Sequence, residues 1–303
     1  MVIKQIENTS EEKGIIMNSK KKRQNRRELK GLFFILPSFI GACIFLIIPY
    51  LDVIRRSFTQ SVTNTFVGLQ NFSTIFSNGA FQMAAENTVR FAAVGIPILV
   101  VISLSTAVFL SDTTRNSNYL KSGFLIPMAI PVSSIVLLWR VLFASKGLLN
   151  GLLHLLGIAG TDWMNTKYAF VVLVFIYVWK NLGYDIILWM AGLSAIPKDI
   201  YEAAKVDGAG RWKSFLYITL PNMWSTLFII TVLSMINSFK VFREVYLVVG
   251  DYPHESIYLL QHIFNNWFRS LDLDKMAAGA ASMSVVMFVL ILLFQRLWER
   301  EDA

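Results

Sequence analysis

The side chains best suited to chemistry in this sequence lie within long apolar runs. Lys180, Asn181, Tyr184 and Asp185 interrupt one such run. On a helix Asn181 and Asp185 stand at i, i+4, with Trp189 a further four residues on, and Lys180 and Tyr184 make a second i, i+4 pair. A second run carries Thr231, Ser234, Asn237 and Lys240 at intervals of three, a polar stripe down one helical face. A charged group at the centre of a bilayer costs roughly 2.5–3.5 kcal/mol on insertion scales, so each asks for a partner or a water-filled cavity. These groups have the chemistry to line a hydrated path and hold a polar, hydroxylated solute. Asn237 and its neighbours offer donors and acceptors for hydroxyls, and Tyr184 and Trp189 offer aromatic faces for C–H surface. The same residues also admit packing roles. Lys180 and Asp185 can pair with neighbours such as Arg140, serine and asparagine can bond between helices for about 0.6 kcal/mol each, and Trp189, near the end of its run, can anchor at the interface.

Other chemistries are missing. Cys43 is the single cysteine, so neither an intrachain disulfide nor a thiolate zinc site can form. His154, His254 and His262 are dispersed and fit no helical zinc-protease spacing, so no metal site is expected. No Gly-x-x-x-x-Gly-Lys-Ser/Thr loop is present to cradle a nucleotide phosphate. Any ATP must be bound by another chain.

Composition indicates what positions these residues. Of 303 residues 55% are hydrophobic and 16% charged, and the mean hydropathy is +0.53, against roughly 45–50% apolar and about 25% charged for soluble domains. A soluble enzyme is excluded on that balance. Six apolar stretches, 31–50, 91–110, 123–143, 168–195, 223–241 and 276–294, each suffice to cross about 30 Å of hydrocarbon as a helix. The fold class is an all-α membrane protein of six transmembrane helices. A barrel is unsuitable, because barrel strands alternate over about 10 residues whereas these runs are continuously apolar. The fourth stretch reads either as one long helix or as two broken near Gly183, and one helix is preferred because a polar loop is absent.

The net charge of +8 is topological rather than a sign of nucleic-acid binding, since 9 of the 28 Lys and Arg lie in the first 30 residues. With the N-terminus inside, the tail, 111–122, 196–222 and 295–303 hold 17 cations, and the segments 51–90, 144–167 and 242–275 hold 8. Cations favour the cytoplasmic side, so both termini are expected there. The expected organisation is a basic cytoplasmic tail over 1–30, a membrane domain over 31–295, and a short cytoplasmic tail over 296–303. The first run is too long for a signal-peptide core and passes Cys43 without a cleavage signal, so it reads as an uncleaved helix.

The cytoplasmic segment 196–222 carries the most specific pattern. Asp199 can cap a short helix with Glu202 completing a capping box, Gly208 can end it in a left-handed conformation, and a second short helix follows from Arg211. Ala203 and Ala204 leave a low surface that another protein's backbone can approach. The spacing Glu202-Ala203-Ala204, Gly208, then Ile218 and Leu220-Pro221 resembles the coupling segment of ABC importer permeases. Leu36-Pro37, Pro49, Phe66 to Phe72, Asn87-Thr88, Trp139-Arg140, Gly147 with Asn150, Trp179, Gly183 and Ala191-Gly192-Leu193 are similar to the carbohydrate-uptake branch, and Phe242, Gly250, Pro253 and Phe264 to its N-terminal-type permease subunit. Gln70 and Ser194 depart from the residues common at those places.

The resemblance implies a type I importer-like bundle in a bacterial cell membrane. It further implies a second homologous permease, two ATPase subunits that keep ATP and magnesium to themselves, and an external solute-binding protein delivering a sugar or oligosaccharide. Glu202, Ala203, Ala204, Asp207, Gly208, Ala209, Phe215 and Pro221 are then the ATPase-coupling residues. Lys180, Asn181, Tyr184, Asp185, Trp189, Ser234, Asn237 and Lys240 are the substrate-path residues. This chain is expected to be a transport subunit with no catalytic, cofactor or metal site. Glycerol phosphate and polyamines stand as alternative solutes. An ion-coupled secondary transporter, which wants a buried carboxylate relay, has Asp185 alone in its support, and a non-transporting scaffold is the remaining rival.

Overall fold

The computed structural model describes residues 35–112 and 117–299. The basic tail, the first four residues of the first apolar run and the residues past 299 lie outside them. Two compact units divide at Arg56 and Ser57. The first contains nearly all of helix α1 (Ile35–Ser57), in which Asp52 pairs with Arg55 and Arg56 at i, i+3 and i, i+4.

The regular structure of the second unit's described residues is helical, apart from a single antiparallel bridge between Thr59 and Phe66. In chain order it comprises α2 (Gln70–Phe76), α3 (Gly79–Asp112), α4 (Ser117–Ala129), α5 (Val132–Phe143), α6 (Leu148–Leu155), α7 (Ala169–Ala195) and α8 (Lys198–Val206). These are followed by α9 (Arg211–Ser214), α10 (Trp224–Lys240), α11 (Phe242–Val249), α12 (Leu260–Arg269) and α13 (Leu273–Glu299). Six stretches are long and apolar enough to cross a membrane: 35–57, 79–111, 132–155, 169–195, 224–249 and 273–296. The chain is a multi-pass membrane protein.

The third crossing differs from the stretch read off the sequence. The run 123–143 is not one helix, because α4 ends at Ala129 and α5 begins at Val132. Pro131 lacks an N–H and disfavours helical geometry at Ile130, and it holds the N-cap of α5 at φ −56° and ψ 141°. The membrane-length stretch is instead 132–155, formed by α5 and α6 together.

Helix α7 is continuous and central. It is apolar nearly all round, as a helix enclosed by neighbours should be, and it packs against α3, α4 and α10. Gly183 belongs to this packing and not to a break: a Cβ there would stand 1.8 Å from the Phe124 carbonyl oxygen of α4. The main core joins Phe91 and Leu99 of α3, Trp139 and Phe143 of α5, and Leu173, Ile176 and Tyr177 of α7. At the end carrying α8, Ala107, Ile186, Trp189, Met223 and Ile230 form another core. At the opposite end Ile75, Phe81, Tyr258, Ile263, Trp267 and Ala278 form a third. Polar staples hold that opposite end: Asn87 Nδ2 donates to the Glu255 and Tyr258 carbonyls, and Asn150 Oδ1 accepts from Trp163 Nε1 at 2.9 Å.

Candidate functional site: a mid-span cleft and a capped short helix

Helices α4, α7, α10 and α11 enclose a cleft of about 180 Å³ lined by Met128, Tyr177, Lys180, Asn181, Asn237, Lys240 and Glu244, together with Ile176 and Val241. Four of the residues singled out from the sequence therefore meet there. Asn181 Nδ2 donates to the Tyr177 carbonyl one turn back at 2.8 Å, leaving its Oδ1 available as an acceptor. Lys240 Nζ donates to Asn237 Oδ1 at 3.0 Å.

The charge in the cleft is organised by a residue the sequence reading missed. Lys180 forms an ion pair with Glu244, while Arg140, itself a cation, pairs with neither Lys180 nor Asp185 among the described residues. The Glu244 side chain is 1% exposed and its Oε2 has no hydrogen-bond partner among the described residues. Arg140 donates instead to the Leu247 and Val248 carbonyls at the end of α11, at 2.7 and 3.3 Å. By hydropathy and charge Glu244 falls in the outer segment 242–275. The apolar pattern nonetheless runs on past Lys240, with Val241, Val245 and Val248 on one helical face around it, and that continuation was the signal.

The remaining path candidates lie elsewhere. Asp185 is 1% exposed and accepts a hydrogen bond from Ser234 Oγ at 3.2 Å, so α7 and α10 satisfy each other's polar groups. Tyr177 completes this contact by donating its hydroxyl to the Ser234 carbonyl at 2.8 Å. Tyr184 is half-buried outside the cleft lining. Trp189 is 1% exposed and donates Nε1–H to Ser103 Oγ at 2.9 Å, which places it in the core and away from an interface.

In the segment 196–222 the helix starts earlier than the capping-box pattern requires. Pro197 occupies the N-cap with no side-chain hydrogen bond, and Asp199 lies inside the first turn, so it cannot cap. Proline supplies the starting φ of −59° by its ring. The C-terminus forms as expected. Gly208 has φ +78°, its N–H bonds to the Lys205 carbonyl, and the Ala209 N–H reaches the Ala204 carbonyl at 2.9 Å, a Schellman closure. Glu202, Ala203 and Asp207 are exposed on α8, Ala204 and Ala209 half-buried. Tyr201 Oη and Thr219 Oγ1, 2.9 Å apart, tie α8 to the following stretch.

That stretch passes from α9 through a π-helical turn, Phe215–Thr219, into Leu220–Asn222. Pro221 explains the turn: its missing N–H leaves the carbonyl four residues back without a partner, and a wider turn accommodates it. In α1 the π-turn Cys43–Ile47 similarly comes just before Ile48-Pro49. Phe215 is half-buried and stacks on Trp212 with centroids 5.8 Å apart, and Pro221 is exposed.

Residues 89–300 match the family model described as "Binding-protein-dependent transport system inner membrane component". The chain belongs to this family. Over 275 residues the permease is 32% identical to the trehalose/maltose transport system permease protein MalF of Thermococcus litoralis, covering 88% of this chain and 92% of that one. It is 29% identical to the arabinooligosaccharides transport system permease protein AraP of Bacillus subtilis, with 86% and 84% covered. It is 30% identical to the sn-glycerol-3-phosphate transport system permease protein UgpA of Salmonella typhimurium, with 86% and 89% covered. Its fold matches a chain in the crystal structure of a bacterial ABC transporter involved in the import of the acidic polysaccharide alginate, at a TM-score of 0.81 and 22% identity over 91% of this chain and 96% of that one.

Two ionisable groups outside the spans are strongly set by their surroundings. The Asn165 side chain, with the backbone N–H groups of Asn165 and Met164, holds the Asp162 carboxyl below its usual range. His262, 0% exposed at the start of α12, accepts the Leu259 N–H on Nδ1 at 3.1 Å, and burial pushes its pKa down to about 4.

Proposed function

We propose that the permease forms half of the translocation path for a sugar or oligosaccharide, alongside a second homologous permease. Two ATPase subunits bind the coupling helices of the permease pair, α8 serving in this chain, an external solute-binding protein delivers the solute, and both termini are cytoplasmic. The observation that carries the reading is the cleft, in which amide, ammonium and carboxylate groups from α7, α10 and α11 converge at mid-span. Hydroxyl groups leaving water need such donors and acceptors. Relatives that import trehalose/maltose and arabinooligosaccharides support the solute class. Asn181, Asn237, Lys180 and Lys240 are the contacts assigned to the solute. Asp185, Ser234, Tyr184 and Trp189 act on the path through the packing of α7. In α8 and the stretch after it, Glu202, Ala203, Ala204 and Asp207 offer the docking surface, Gly208 and Ala209 fix its end, and Phe215 and Pro221 shape the connection to α10.

A second reading, import of a phosphorylated polyol, has one observation in its favour: Lys240 lines the cleft and, among the described residues, pairs with no carboxylate, leaving a positive charge facing the path. Uptake by the reconstituted importer in proteoliposomes, with ATP inside and a panel of neutral sugars and glycerol phosphate outside, decides between them. Asn237→Leu is expected to lower sugar uptake while assembly is retained. Wild-type uptake of every sugar by an assembled variant would reduce Asn237 to packing.

A further inference from the structure

A cavity of about 840 Å³, larger than the cleft, lies outside it at the end of the bundle that carries α8. Its floor is formed by the last turns of α3 and α7, including Ser111 and Ser194, and its walls by α8 and α9. Charge around it is sorted. Lys198 and Lys205 of α8 and Arg211 of α9 line it, whereas among the residues whose side chains are described no carboxylate does, including Asp199 and Glu202 of α8 and Asp207 at its C-cap. The helical repeat accounts for this: Lys198, Tyr201 and Lys205 fall on one face of α8, and the three carboxylates centre on another roughly 140° away. None of the three cations takes part in an ion pair among the described residues.

Depth supplies the second observation. Ser111 and Ser194 belong to the final turns of the crossings 79–111 and 169–195, so the cavity opens where hydrocarbon gives way to headgroups. Beside it on the same stretch, Trp212 and Tyr217 are 71% and 78% exposed. Aromatic side chains of this kind concentrate at headgroup level, and basic pockets between spans there suit anionic headgroups.

We propose that this cavity binds the phosphate of an anionic phospholipid headgroup, with Lys198, Lys205 and Arg211 as its cationic partners. The inference rests on the membrane placement of the crossings and is independent of which solute is carried. It divides the work of α8: a basic face holds lipid while the acidic face stays available to a protein partner.

The test uses the permease in the complex it forms in its own membrane, purified in mild detergent and analysed by native mass spectrometry. Phosphatidylglycerol and phosphatidylcholine of identical acyl chains are added in turn. The wild type is expected to keep phosphatidylglycerol in preference to phosphatidylcholine. Lys198→Gln, Lys205→Gln and Arg211→Gln are each expected to weaken that retention about fivefold, and Lys213→Gln, off the cavity lining, to leave it unchanged. Excess inorganic phosphate separates the two sources of the anion: persistence of the lipid supports the proposal, and displacement assigns the cavity to a soluble anion and overturns it. Equal retention by wild type and all three variants also overturns it. So does a complex that takes the lipid only once its partner subunits have been stripped away, since a protein surface then fills the cavity.

Discussion

The ion pair between Lys180 and Glu244 joins α7 to α11 beside the cleft, and its two halves are unequally buried, at 24% and 1% side-chain exposure. Removing one partner of a buried pair leaves the other charge uncompensated and costs about 3–5 kcal/mol. The asymmetry predicts which removal reaches that figure. Lys180→Met strands a carboxylate that already lacks a partner on Oε2, so the full cost is expected, a fall in melting temperature on the order of 10 °C. Glu244→Gln leaves an amide oxygen that still accepts from Lys180, whose partly exposed ammonium can draw water from the cleft, so the loss is expected to be about 1–2 kcal/mol. Exchanging both, as Lys180→Met with Glu244→Leu, removes the buried charges together and is expected to lie within about 1–2 kcal/mol of wild type. Thermal unfolding of the detergent-solubilised permease, followed by fluorescence-detected size exclusion, measures all three. The reasoning is refuted if Lys180→Met costs no more than Glu244→Gln, or if the double variant costs the sum of the two single ones.

Three further outcomes are expected. Gly208→Val places a β-branched residue at φ +78° where no atom stands within 4 Å of the new Cβ, so strain of about 1–2 kcal/mol stays local; insertion should persist while co-purification of the ATPase or substrate-stimulated hydrolysis falls sharply. Single cysteines at Lys205 and at Val62, the latter 91% exposed, should react with an impermeant maleimide from opposite sides of the membrane, and labelling of both from outside would overturn the topology. His262 is held neutral in the fold, with a pKa of about 4 against 6.5 when free, so the unfolded chain binds the extra proton first and stability is lost as pH falls from about 6.5 to about 4. The melting temperature of His262→Asn should change less over that window than that of the wild type, and parallel curves would refute the assignment.

Apolar length made the six crossings legible, because it follows from transfer energies that need no knowledge of neighbours. Gly208 was legible for a similar reason, since a left-handed helix end is a local demand. What escaped needed a partner or a competitor. Asp199 and Glu202 have the spacing of a capping box, but Pro197 competes for the same helix start and wins by its fixed φ. Pro131 divides the third run through a steric effect on the residue before it, which hydropathy does not register. Lys180 signalled that it required an opposite charge, yet nothing at i, i+4 could reveal that α11 would bring Glu244 to it across 64 positions. Trp189 carried two exposed readings, and enclosure by α3 removed both.

The contact of Gly183 with the α4 backbone bears on how a carrier of this kind can change state. At Gly183 no side chain separates α7 from the α4 backbone, so sliding one helix over the other there would drive the Phe124 carbonyl into the neighbouring side chains of α7. The hydrogen bonds from Tyr177 and Ser234, and the Lys180–Glu244 pair, fasten α10 and α11 to the same helix. We expect these helices to move as one part. On the proposed pairing with a second permease, the seam that opens and closes during a transport cycle then runs along the outside of this part, so a crosslink between α4 and α7 should leave turnover intact whereas one across that outer boundary should stop it.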